Sequence, residues 1–271
     1  MAEIEWQRMA AHQLRVLAGQ DAVVILPIAS IEQHGPHLPT MTDTRLGHEV
    51  AVRAARKVAA TRPVVVTPVV WSGLSEHHMP FGGTLTVSAA TLRAVLTDLI
   101  ASITRLGFRK ILLSNSHGGN IIAMQQLCDE LSPDCAATIV ATTYAIEAGP
   151  EIAALLEDQD GVQHAGEAET SMMLACQADL VDTQDLAAIG TPGEGGPGFL
   201  KAGRASYRWR PFAHATVDGV SGTPEKSTAE KGEALLEASA EGIAALILDA
   251  QTWAPPDDRR GKGTAGVPFT S

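Results

Sequence analysis

Three short segments of this 271-residue chain hold most of the side chains that could bind a cation or move a proton. The densest runs from Ser30 to Asp43 (SIEQHGPHLPTMTD) and contains Glu32, His34 and Asp43. Glu32 and His34 stand two residues apart, so an extended backbone projects both to one face. Gly35 and Pro36 then turn the chain, and Asp43 returns at the start of the next helix. Two carboxylates and an imidazole form a mixed oxygen and nitrogen set that suits Zn²⁺ or Mn²⁺, and Fe²⁺ also fits. The second segment, Ser114 to Asn120 (SNSHGGN), puts His117 where a buried strand opens into a Gly-Gly turn. The third, His164 to Ser171 (HAGEAETS), crowds His164, Glu167 and Glu169 together. On a helix those two glutamates point ~200° apart, so only one of them faces a given site.

Each segment also has a plainer reading. Glu32 and His34 could bond to the backbone of a polar loop. His164 and its glutamates could cap a helix and complement its dipole. Gly-Gly before a helix could cradle a phosphate, but the stretch lacks both GxxxxGK[ST] and GxGxxG. A further polar cluster, Glu76, His77 and His78 in SEHHMPFGGT, reads as pocket lining or as an exposed loop turned by Gly82 and Gly83.

The elements that must position these groups alternate. Ala22–Ala29 (AVVILPIA) reads as a strand buried on both faces. Residues 44–60 show helical spacing, and 64–70 read as a second strand whose later half Pro68 weakens. Ser88 can cap a helix to about Leu106, stopped by Gly107. Residues 110–115 form a third strand, Asn120 can cap a helix to about Leu131, and 136–143 form a fourth strand. This order predicts an α/β fold with a mostly parallel central sheet and helices on both faces. Functional groups in such folds gather beyond the carboxyl ends of the strands, where Glu32, His34 and His117 fall. Later, residues 166–177 look helical, 190–203 form a Gly/Pro-rich loop, and 224–250 read as a long helix. One domain is expected over 1–253, with a disordered tail over 254–271.

Acidic residues outnumber basic ones, 31 to 20, for a formal charge of -11. No basic face offers itself to nucleic acid. No apolar run approaches the ~20 residues of a membrane span, and Met1 to Arg8 lack the features of a secretory signal. The expectation is a cytoplasmic protein with neither nucleic-acid nor membrane partners. Three cysteines without a CxxC exclude a four-cysteine zinc site and argue for buried free thiols.

The ordered set EQHGPH with Asp43, SHGGN and HAGEAETS, followed by STAEKGE at Ser227–Glu233, resembles the creatininase (creatinine amidohydrolase) family. The resemblance implies a three-layer α/β fold, two adjacent divalent metals and a homo-oligomer, often a hexamer. It implies hydrolysis of C–N bonds in cyclic or linear amides. Carried over by position, Glu32, Asp43 and His117 would hold one metal, and His34 and Asp43 the other. Creatininase completes the second metal with a glutamate two positions after the loop histidine, where this chain has Gly119. Glu169 is the candidate replacement and Glu167 the fallback. His164 matches a family histidine that serves the leaving nitrogen, so it is the candidate catalytic residue.

The substrate side departs further. Creatininase has a tyrosine where this chain has Gly118, and its pocket tryptophans fall near Tyr144 and Asp160 here. Glu76, His78, Gly118 and Tyr144 are therefore the candidate substrate-binding residues, in a branch that does not act on creatinine itself. Two divalent ions ~3.5 Å apart can activate a bridging water as hydroxide for attack on a carbonyl. His164, with a reference pKa near ~6.5, can supply the proton the leaving nitrogen needs. The expected function is a metal-dependent hydrolase acting on a small amide, lactam or formamide. The alternatives are a peptidase of the mycofactocin-precursor type and a noncatalytic metal-bound ligand-binding protein.

Overall fold

Val23–Ile28 form β1, a strand with all six residues buried, as an apolar run without polar alternation requires. Val23 and Ile25 point into one hydrophobic cluster, and Val24, Leu26 and Ile28 into another. The sheet is therefore the middle of three layers. The structure is a computed structural model and describes residues 3–190, 208–261 and 266. Its sheet has the order β2-β1-β3-β4, with β2 at Val64–Val66, β3 at Lys110–Asn115 and β4 at Thr138–Thr143. All its pairings are parallel.

Seven helices join α1 (Ala11–Gly19) in the described residues: α2 (Thr42–Val58), α3 (Ala89–Arg105), α4 (Ile121–Leu131), α5 (Tyr144–Glu147), α6 (Gly149–Leu155), α7 (Glu167–Gln177) and α8 (Ala229–Leu248). Helices α3 and α4 pack in the cluster on one face, while α2, α7 and α8 pack in the cluster on the other. Ser88 caps α3, its side chain accepting from the Thr91 N–H at 3.2 Å. Gly107 ends that helix at φ 103°, a conformation that favours glycine.

Three expectations shift. Strand β2 stops at Val66, and Val70 touches Ile28 only through an isolated bridge. Pro27 and Pro68 both fall where that ladder breaks, and the Pro27 carbonyl accepts from Val70 N at 2.9 Å. Asn120 occupies the cap position of α4 but makes no capping bond. Its amide instead ties Leu74 N, the Ala29 carbonyl and Asn115 together. The last long helix starts at Ala229, not 224, because Thr228 caps it by accepting from Lys231 N. Residues 191–203 of the Gly/Pro-rich loop lie outside the described residues, as does most of the tail beyond Gly261. Residues 255–261 are exposed and carry no helix or strand.

The STAEKGE stretch works by packing. Lys231 pairs with Glu167, which is fully buried and also accepts from Glu157 N at 3.1 Å. Gly232 lets α8 touch the backbone of α7, since a Cβ there would lie 1.8 Å from the Ser171 carbonyl oxygen. Gly232→Ala gains about 1 kcal/mol of helix propensity but must push two packed helices apart. We expect a net loss of roughly 1–3 kcal/mol, read as a lower midpoint in urea at unchanged slope. A higher midpoint would show that the contact is not held in solution.

Candidate metal centre

The carboxyl ends of β1 and β3 deliver Glu32, His34 and His117 to one point. The first turn of α2 adds Asp43, the first turn of α7 adds Glu169, and the loop before α7 adds His164. Both helix N-termini favour the carboxylates they carry. Glu32, His34, Asp43, His117 and Glu169 are all buried, none more than 6% exposed.

Backbone carbonyls set the imidazole tautomers. His34 Nδ1 lies 3.0 Å from the Glu32 carbonyl oxygen, and His117 Nε2 lies 3.1 Å from that of Leu74. His164 Nε2 lies 2.8 Å from the Gln33 carbonyl oxygen. A carbonyl only accepts, so each of these ring nitrogens carries the hydrogen and donates it. In the neutral rings the other nitrogen then presents a lone pair. His34 Nε2 faces Asp43 Oδ1 at 3.4 Å and Glu169 Oε2 at 3.6 Å. His117 Nδ1 faces Glu32 Oε2 at 3.1 Å and Asp43 Oδ2 at 3.3 Å. His164 Nδ1 faces Glu32 Oε1 at 3.5 Å.

Lone pairs aimed at carboxylates repel unless positive charge lies between them. Most of these separations exceed the 2.7–3.2 Å of an N–H···O bond. They match the edge of a coordination tetrahedron, about 3.4 Å for bonds of ~2.1 Å. His34 Nε2 and Asp43 Oδ2 are buried and have no hydrogen-bond partner despite these close approaches. Burial opposes a charge on His34, yet Asp43, Glu169 and Glu32 hold its pKa up at about 9. Burial raises the Glu169 carboxyl, and the neighbouring charge of Asp43 raises it further. The donor types, the burial and the orphaned atoms all fit divalent ions. His34, Asp43 and Glu169 form one compact set, Glu32, His117 and His77 a second, and Glu32, His34 and His164 a third.

Supporting contacts fix Glu32. Ser75 Oγ donates to its Oε2 at 2.6 Å. Gln33 Oε1 accepts from Gly35 N at 2.9 Å, which turns its Nε2 to donate to His78 Nδ1 at 2.8 Å. The hydrogen of His78 is then on Nε2, 3.3 Å from Glu32 Oε1. Such outer partners orient ligands and raise their basicity. Burial pushes the His78 pKa far down, and the nearby His164 adds to this.

The two glutamates of the third segment separate as helix geometry requires. Glu169 faces His34, while Glu167 pairs with Lys231 away from the cluster. Among the expected substrate contacts, Glu76 lines a cavity of about 570 Å³ together with His77, Gly119, Thr86, Leu74 and Trp209. His78 turns inward onto Glu32 instead. Gly118 begins the short turn after His117 and is not among the cavity's lining residues; its neighbour Gly119 is. Tyr144 is 2% exposed and packed in the larger core, where burial raises its pKa and the nearby charges of Glu169 and Asp43 add to this; it is not among the cavity's lining residues. Ser75, Gln33 and Phe212 escaped the sequence reading, and His77 was read there only as part of a polar cluster. Phe212 packs against the rings of His78 and His164 at 4.7 and 4.9 Å, and its position after the Gly/Pro-rich loop carries no local signal.

The sequence profile of the Creatininase family, creatinine amidohydrolase, matches residues 7–247. The chain belongs to the creatininase family. A mycofactocin precursor peptide peptidase from Mycolicibacterium smegmatis is 32% identical over 251 residues, covering 91% of each chain. A structure described as creatininase with Mn superposes with a TM-score of 0.76 at 25% identity, covering 94% of this chain and 100% of the other. A variant creatininase described as the Zn-Zn type gives a TM-score of 0.72 at 25% identity, with 94% and 100% coverage. This creatininase-family chain is a hydrolase with the α/β fold of those structures. Its Gly119 leaves no room for a side chain, because a Cβ would lie 2.3 Å from the Leu74 carbonyl oxygen and 2.4 Å from His117 Nε2. Among the described residues no helix is long and apolar enough to cross a membrane.

Proposed function

We propose that this creatininase-family hydrolase holds two divalent ions, Zn²⁺ or Mn²⁺, and cleaves a C–N bond in a small amide, lactam or formamide. The observation that carries this is the set of buried imidazole lone pairs aimed at Glu32, Asp43 and Glu169. His34, Asp43 and Glu169 would hold one ion; Glu32 and His117, with Asp43 shared, would hold the other. Bound ions of this kind polarise a carbonyl and lower the pKa of water towards neutrality.

The chain's own groups do the rest. Ser75 and His78 keep Glu32 in one orientation. The Gln33 carbonyl fixes the His164 ring so that Nδ1 faces the cluster. Burial holds the His164 pKa well below 6.5, so the ring starts neutral. That changes the expected role: His164 first takes the proton the attacking water loses, at Nδ1. The same atom then delivers it to the departing nitrogen, which leaves as an amine.

A second reading, a peptidase acting on a modified peptide, has its own support. The relative at 32% identity over 91% of both chains carries that name. One panel separates the two readings: small amides, lactams, formamides and short peptides, each with and without a chelator. The first reading expects turnover of at least one non-peptide amide, abolished by chelation and restored by Zn²⁺ or Mn²⁺. Turnover of peptides alone selects the second. Turnover that chelation leaves intact contradicts both.

A further inference from the structure

We propose that His77 is an additional protein ligand to the ion held at Glu32 and His117, an assignment that rests on the metal-dependent reading above. Donor atoms of Glu32, His77 and His117 all lie within 4.8 Å of one another. In a tetrahedral set with ~2.1 Å bonds the donors stand about 3.4 Å apart, so binding would draw these groups together by roughly an ångström. His77 is 5% exposed, and its ring stacks on that of His117 at 5.7 Å with planes 13° apart.

Gly119 gives the arrangement its logic. A Cβ at that position would meet the Leu74 carbonyl oxygen, His117 Nε2 and His77 Cε1, the last at 3.1 Å. The loop after His117 therefore supplies no donor of its own. The imidazole of His77, from the loop after β2, stands against that space instead. It also lines the 570 Å³ cavity, as Gly119 does. With Asp43 shared, the Glu32 ion would have four protein ligands, against three for the ion at His34, Asp43 and Glu169. Closed sites and sites with an open position differ in this way. The two ions should therefore bind with unequal affinity.

The test strips wild type, His77→Asn and His77→Asp with a chelator and titrates each with Zn²⁺. Ions are counted by elemental analysis, and imidazole ligands by X-ray absorption fine structure. His77→Asn should weaken one of the two ions by at least about 10–100-fold and remove one imidazole per chain. His77→Asp, which restores a donor, should recover much of that affinity. Unchanged affinity for both ions and an unchanged imidazole count in His77→Asn would overturn the proposal. A wild type that binds no metal would instead overturn the parent reading. Should His77→Asn fail to fold, the count in zinc-loaded His164→Ala decides: three imidazoles per chain support the assignment and two overturn it.

Discussion

Asp43→Ala is expected to release both ions and to lower turnover by roughly 10³-fold or more. The two carboxylate oxygens of Asp43 face the imidazoles of both proposed ion sites, His34 at 3.4 Å and His117 at 3.3 Å. Removing it opens both donor sets at once. Lewis-acid stabilisation is worth several kcal/mol, and each ~1.4 kcal/mol is a factor of ten. The fold should survive. An acidic residue in the first turn of a helix contributes only about 0.3–1 kcal/mol, and its loss relieves crowding with Glu169 and Glu32. Elemental analysis of the purified variant reads the metal, and kcat/KM reads the chemistry. Asp43→Asn keeps one neutral oxygen donor and should retain more metal than the alanine variant. Full metal content with unchanged turnover in Asp43→Ala would mean that the carboxylate only balances charge.

His164→Ala separates proton transfer from metal binding. Its Nε2 is tied to the Gln33 carbonyl, and its Nδ1 is the atom turned to the cluster. Positioned proton transfer contributes about 10²–10⁴-fold, so kcat should fall within that range while KM moves little. Both ions should stay bound. The loss should be smallest for amides whose leaving nitrogen needs little protonation, such as nitroanilides, and largest for alkyl amides. Added imidazole should restore part of the rate, because the ring leaves a gap bounded by His34, His78 and Phe212. Loss of one ion from the variant would make His164 a ligand instead. A uniform loss across leaving groups would remove it from the proton path.

Much of the architecture was legible because both faces of β1 and β3 are buried and their apolar runs are uninterrupted. The end of β2 was harder. Pro68 weakened the strand in the sequence, but the stop at Val66 depends also on Pro27 in the neighbouring strand. Glu167 and Glu169 could be separated in direction from helix geometry, yet only packing shows which faces His34. The pairing of Glu167 with Lys231 joins segments 64 residues apart. His77 and His78 were visible as a polar pair, but a short 3-10 turn buries both and leaves Glu76 and Met79 outside. The burial of Tyr144 was not legible, because nothing in its neighbourhood of the sequence marks it as core. Its burial follows from the core formed by α2, α7 and α8.

The central claim is that the convergent donors of β1, β3, α2 and α7 hold divalent ions, and anomalous diffraction tests it most directly. Crystals of protein purified with Zn²⁺ or Mn²⁺, measured on both sides of the metal's absorption edge, should show two peaks per chain. One should fall within coordination distance of His34, Asp43 and Glu169, the other within that distance of Glu32, His117 and Asp43. Metal-saturated crystals with no anomalous peak among these side chains would contradict the account.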